Sequence, residues 1–95
     1  MTDAEILTVL KMDLQISTAS QDHYLGGLVE TARGLIAREG VTLGNSVEDG
    51  MLVEMYAAWL WRKRRDQSGA NIMPRPLRWA LNNRQFGRKE AAADG

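Results

Sequence analysis

Apolar residues recur along this chain at three- and four-residue intervals in four separate runs, the spacing of helices that bury one side. Thr2-Asp3-Ala4-Glu5 reads as a capping box that opens a helix to about Leu14, with Ile6, Leu7, Leu10 and Leu14 on one side. Thr18-Ala19-Ser20-Gln21 reads as a second capping box. The stripe after it is formed by Tyr24, Leu25, Leu28, Val29, Ala32, Leu35 and Ile36, and Gly40 is the expected left-handed stop. Ser46, with Asp49 three residues on, caps a third helix that reaches about Arg65. After a loop from Gln67 to Pro74, Pro76 suits the first turn of a fourth, in which Leu77, Ala80 and Leu81 share a face opposite Trp79 and Phe86. No β-type alternation competes. The fold class is all-α, a small bundle of about four helices over residues 1–87, with a polar, flexible tail over 88–95.

The third run departs from the single-stripe pattern. VEDGMLVEMYAAWLW is apolar on nearly every side and then breaks into Arg62-Lys63-Arg64-Arg65. Trp59 and Trp61 stand about 200° apart on the helix, so both rings cannot enter the same core. Either this is the central helix of the bundle, or one of its faces awaits another chain. Leu52, Tyr56, Trp59 and Leu60 are expected to face the core, and Met51, Ala58 and Trp61 to form an outward face for a second copy.

At 95 residues the chain is one domain, able to bury roughly 60–70% of its unfolded surface. With no cysteine it has no disulfide framework and no thiolate chemistry. No signal peptide and no apolar run of membrane-spanning length is expected, which places the protein in the cytoplasm when made. The zero net charge conceals an imbalance. Residues 1–60 hold nine acids against three bases, a balance of −6, and residues 61–95 hold nine bases against three acids, a balance of +6. Three readings stay open: a polyanionic partner for the basic third, head-to-tail contact between copies, or interleaving of the two sets within one fold.

Catalysis has little to stand on. His23 is the only histidine and reads as a solvent-facing side chain, and no nucleophile triad, phosphate loop or HExxH motif is present. Glu48 and Asp49 read as complements to a helix dipole. No enzyme activity, metal or cofactor is expected. The basic run could hold phosphates, but four adjacent bases point all round a helix, and the loop before the fourth helix is too long for a helix-turn-helix. Inside the second helix, Gly27, Thr31 and Gly34 fall together opposite the Leu28/Leu35 stripe, a groove of small residues where a second copy could approach.

The order of segments is itself informative. A short capped helix ends in DLQIS, and a long amphipathic helix ends in LIAREGV. Then come MLVEMYAAWLWRKR, holding Met55 to Leu60, and MPRPLRWALNNRQF, in which Met73-Pro74-Arg75 leads into Leu77 to Asn83. Over residues 4 to 87 this resembles the head–tail connector (head-completion adaptor) family of tailed bacteriophages. The resemblance implies an α-helical, non-enzymatic protein that assembles into a closed ring of like subunits, typically about twelve or thirteen. Such a ring sits below the portal protein of the virion, extends the DNA channel without binding DNA specifically, and presents a surface to the next neck or tail protein. It implies residence at the head–tail junction, and in the host cytoplasm during assembly.

By that resemblance Arg75, Arg78, Trp79, Phe86, Arg88 and Lys89 are candidate portal contacts, and their mix of arginine and aromatics fits a protein interface. Gly27, Thr31, Gly34, Met51, Ala58 and Trp61 are the candidate subunit interface. The glycine pair Gly26-Gly27 departs from the helix-forming residues expected of a typical member. The alternative function is a small DNA-binding regulator or packaging factor that uses the basic third.

Overall fold

Each apolar run forms a helix: α1 (Asp3–Asp13), α2 (Asp22–Arg38), α3 (Val47–Lys63) and α4 (Arg75–Asp94). The computed structural model describes residues 1–64 and 73–94, with side chains through residue 84. Most of the expected Gln67–Pro74 loop lies outside the described residues, as do Arg65 and the side chains of Phe86, Arg88 and Lys89. The backbone of α4 is helical to Asp94, and the tail expected from residue 88 falls where side chains are not described. Among the described residues there is no strand, and the protein is a small all-α bundle.

Side-chain oxygens start two of these helices. The Thr2 hydroxyl accepts from the Glu5 amide at 3.2 Å, and the Glu5 carboxylate accepts from the Thr2 amide at 2.8 Å, which completes the capping box of α1. That backbone bond from Thr2 is the main reason the Glu5 carboxyl titrates below its usual value. Ser46 caps α3 by accepting from the Asp49 amide at 3.1 Å. The second expected capping box does not form. Thr18 and Ser20 hydrogen-bond to each other at 3.0 Å, and α2 begins later, after Gln21, without a side-chain cap.

α1 and α2 stop in the same way. At the end of α2, Gly40 takes φ 87°, its amide donates to Ala37 at 3.0 Å, and the Val41 amide donates to Ile36 at 3.4 Å. At the end of α1, Gln15 takes φ 58°, its amide donates to Met12 at 3.2 Å, and the Ile16 amide donates to Lys11 at 2.8 Å. Both turns send an apolar residue back onto the bundle, Val41 buried and Ile16 half-buried. Only the glycine turn was legible beforehand, because glutamine rarely adopts the left-handed conformation.

α3 is the central helix. It packs against α1, α2 and α4, and its buried residues run nearly all round: Leu52, Val53, Tyr56, Ala57, Ala58 and Trp61. Ile6 and Leu10 of α1, Leu25, Val29, Ala32 and Ile36 of α2, and Leu77 and Leu81 of α4 close over it. Near its start, Gly50 admits the Met1 side chain so closely that a β-carbon there would lie 2.6 Å from the β-carbon of Met1.

This arrangement corrects the expected outward face. Trp61 is only 9% exposed and Ala58 1%, so neither is free surface. The Tyr24 ring meets Trp61 edge-on at 5.9 Å, and the Arg64 guanidinium lies 4.0 Å over its face. Trp59 is the less enclosed indole. It is half-buried, with Tyr56 edge-on at 5.5 Å and the Lys63 ammonium 4.9 Å over the ring. The two tryptophans thus have roles opposite to those expected, because α2 passes on the side of α3 that the helical wheel left open.

Candidate docking surface on the fourth helix

Burial of Leu77 and Leu81 fixes which side of α4 faces inward. Trp79, two residues from each, is about 200° away and projects outward at 67% exposure. Two arginines lock the helix in that orientation. Arg78 pairs with Glu39 at 2.7 Å, and Arg84 pairs with Asp49 at 2.7 Å while donating to the Thr42 carbonyl at 3.2 Å. Beside Trp79 runs a groove of about 310 Å³ lined by Glu48, Leu52, Trp79, Ala80, Asn83 and Arg84. An exposed indole on a rigid helix, with an apolar groove next to it and arginines around it, has the composition of a protein-contact hot spot.

Of the candidate portal contacts, Arg75, Arg78 and Trp79 are therefore exposed on the first turns of one helix, although Arg78 also has an internal partner. Of the candidate subunit contacts, Gly27, Thr31 and Gly34 are exposed on α2, and nothing lies within 4 Å of a β-carbon placed on either glycine. Met51 is 38% exposed on α3. The six residues do not make one strip, since Ala58 and Trp61 turn inward.

Charge is stitched across the fold. Arg62–Asp13 at 3.3 Å, Arg78–Glu39 and Arg84–Asp49 each join a base of the C-terminal third to an acid of the first sixty residues. The basic run is largely engaged as well. Arg62 holds Asp13, Lys63 covers Trp59, and Arg64 stacks on Trp61 and Tyr24. Interleaving accounts for much of the imbalance seen along the chain.

Two buried acids were missed by sequence reading. Asp49, taken for a dipole complement, is 4% exposed; it accepts from the Gly44 amide at 2.6 Å and meets Arg84, tying loop, α3 and α4 together. Glu54 is also 4% exposed. Burial pushes its carboxyl up to about 7, a hydrogen bond to Asp13 and the charge of Asp13 adding to the rise while Arg62 opposes it. An acid within the all-round apolar run was the one available signal for Glu54.

Among the described residues no group of His, Asp and Glu could hold a metal ion, and no helix is long and apolar enough to cross a membrane. His23 is exposed. Comparison of the chain with family models, curated proteins and solved structures returned no match in any of the three. The class that stands on the fold alone is that of a small all-α bundle with an exposed aromatic surface on its last helix.

Proposed function

We propose that the protein is a structural assembly protein of a tailed bacteriophage, a head–tail connector that forms a ring on the portal and extends the DNA channel toward the neck and tail proteins. The observation that carries this reading is Trp79, held 67% exposed on a helix locked by two ion pairs. A single copy gains nothing from displaying an indole there, whereas a docking partner would. The ordered resemblance over residues 4 to 87 supplies the identity of that partner, the portal. The exposed Gly27/Thr31/Gly34 face of α2 supports close approach of a neighbouring copy. Engagement of Arg62, Lys63 and Arg64 within the fold weighs against a DNA-gripping role.

Native mass spectrometry with and without the portal from the same genome tests it. The expected result is a defined many-copy complex on the portal, lost in Trp79→Ser while the variant keeps parental thermal stability. Absence of any portal complex with the parental chain overturns the reading.

A further inference from the structure

The surface around Trp79 carries a projection and a hollow side by side. The indole stands out at 67% exposure, and the groove of about 310 Å³ beside it is walled by Leu52, Ala80 and Trp79 itself. Both halves of a fit on one patch are what a twofold pair of identical copies requires, because each copy offers the same patch to the other. Helix register extends the match. Arg75 lies one turn before Trp79 on the same side of α4, and Asn83 lies one turn after it. With two α4 helices crossing antiparallel at Trp79, Arg75 of one copy lands at Asn83 of the other. Asn83 lines the groove together with Glu48 of α3. Arg75 and Glu48 are both exposed, and neither has an ion-pair partner among the described residues, whereas Arg78 and Arg84 of the same helix are already paired. The two charges left over are of opposite sign, and a second copy brings them together once on each side of the axis.

We propose that two copies of the chain pair through this surface about a twofold axis at Trp79. Each indole enters the other copy's groove and lies against its counterpart, and Arg75 of each copy meets Glu48 of the other. The pair is a form of the free protein. It covers the face that α4 presents to the portal in the proposed function, so a copy not yet on the portal carries its docking surface closed. That consequence rests on the portal reading; the pairing itself does not.

Sedimentation velocity of the full chain without portal tests the pairing, over a range from about 1 to about 100 μM. The expected result is a concentration-dependent equilibrium of monomer and dimer. Trp79→Ser is expected to weaken the dimer about thirtyfold at an unchanged melting temperature. Arg75→Glu and Glu48→Arg are each expected to weaken it about tenfold, and the double variant, in which the charges are exchanged, to regain most of that loss. A parental chain that stays monomeric, or that associates only into larger species, overturns the pairing. So does a dimer indifferent to Trp79→Ser, or one that the charge exchange does not restore. A parental dimer that never binds the portal overturns the portal reading alone, and a portal complex built from a chain that never dimerises overturns the pairing alone.

Discussion

Arg84 of α4 places its guanidinium 2.7 Å from the carboxylate of Asp49, a buried residue in the first turn of α3. The pair spans the bundle from its last helix to the loop before its central one, because the other oxygen of Asp49 holds the Gly44 amide. α4 is the docking helix of the proposed function, and this contact together with Arg78–Glu39 sets its angle on the bundle.

Removing the arginine leaves the carboxylate buried with only a backbone amide to satisfy it. Arg84→Ala is expected to destabilise the protomer by about 2 kcal/mol, less than for a fully buried pair because the guanidinium is partly solvated. Denaturant unfolding measures this. Loosening of α4 without global unfolding would show as raised amide exchange confined to residues near Leu77 and Leu81.

The tryptophans give a second outcome. Trp61 is enclosed by Tyr24 and Arg64, so Trp61→Ala is expected to cost roughly 3–5 kcal/mol and to threaten folding. Trp59→Ala, at a half-buried ring, is expected to cost distinctly less. Equal losses in thermal denaturation would contradict the enclosure of Trp61.

Glycines of α2 separate protomer stability from assembly. Gly27→Ala and Gly34→Ala add a methyl group where nothing lies within 4 Å, so each is expected to stabilise the isolated helix bundle by up to about 1 kcal/mol. If a second copy packs on this face, the same changes weaken ring formation. A rise in melting temperature together with a loss of higher-order species by native mass spectrometry is the expected pattern.

Stability is expected to decline with rising pH because of Glu54. Its carboxyl goes from an ordinary value of 4.5 to about 7 on folding, so between those values the folded chain holds a proton that the unfolded chain has released. Stability therefore falls as pH rises across that interval and levels off above it, by about 3 kcal/mol in full. Urea unfolding at several pH values checks the sign. A protein no less stable at pH 8 than at about pH 5 would contradict it.

The sequence made the elements legible wherever the signal was local. The Thr2–Glu5 box, the Ser46 cap, the α2 stripe and the Gly40 stop all depend on residues within one or two turns, and all formed. Thr18 failed as a cap because its hydroxyl found Ser20 instead. What could not be read was pairing at a distance. A helical wheel gave the angle between Trp59 and Trp61, but not that Tyr24 and Arg64 would meet on Trp61. Nor could it place Asp13 beside Glu54. Within the candidate surface, outward projection of Trp79 followed from the Leu77/Leu81 spacing, whereas inward rotation of Ala58 and Trp61 depended on the path of α2.

Cross-bundle pairing of Asp13, Glu39 and Asp49 with arginines from the far end of the chain has a kinetic consequence. A molecule whose poles are folded onto each other casts only a weak field at range, so two copies, or a copy and its template, would not be drawn together from afar. Their meeting rate would be ordinary and nearly indifferent to added salt, and the lifetime of the contact would rest on how well greasy surfaces fit once they touch.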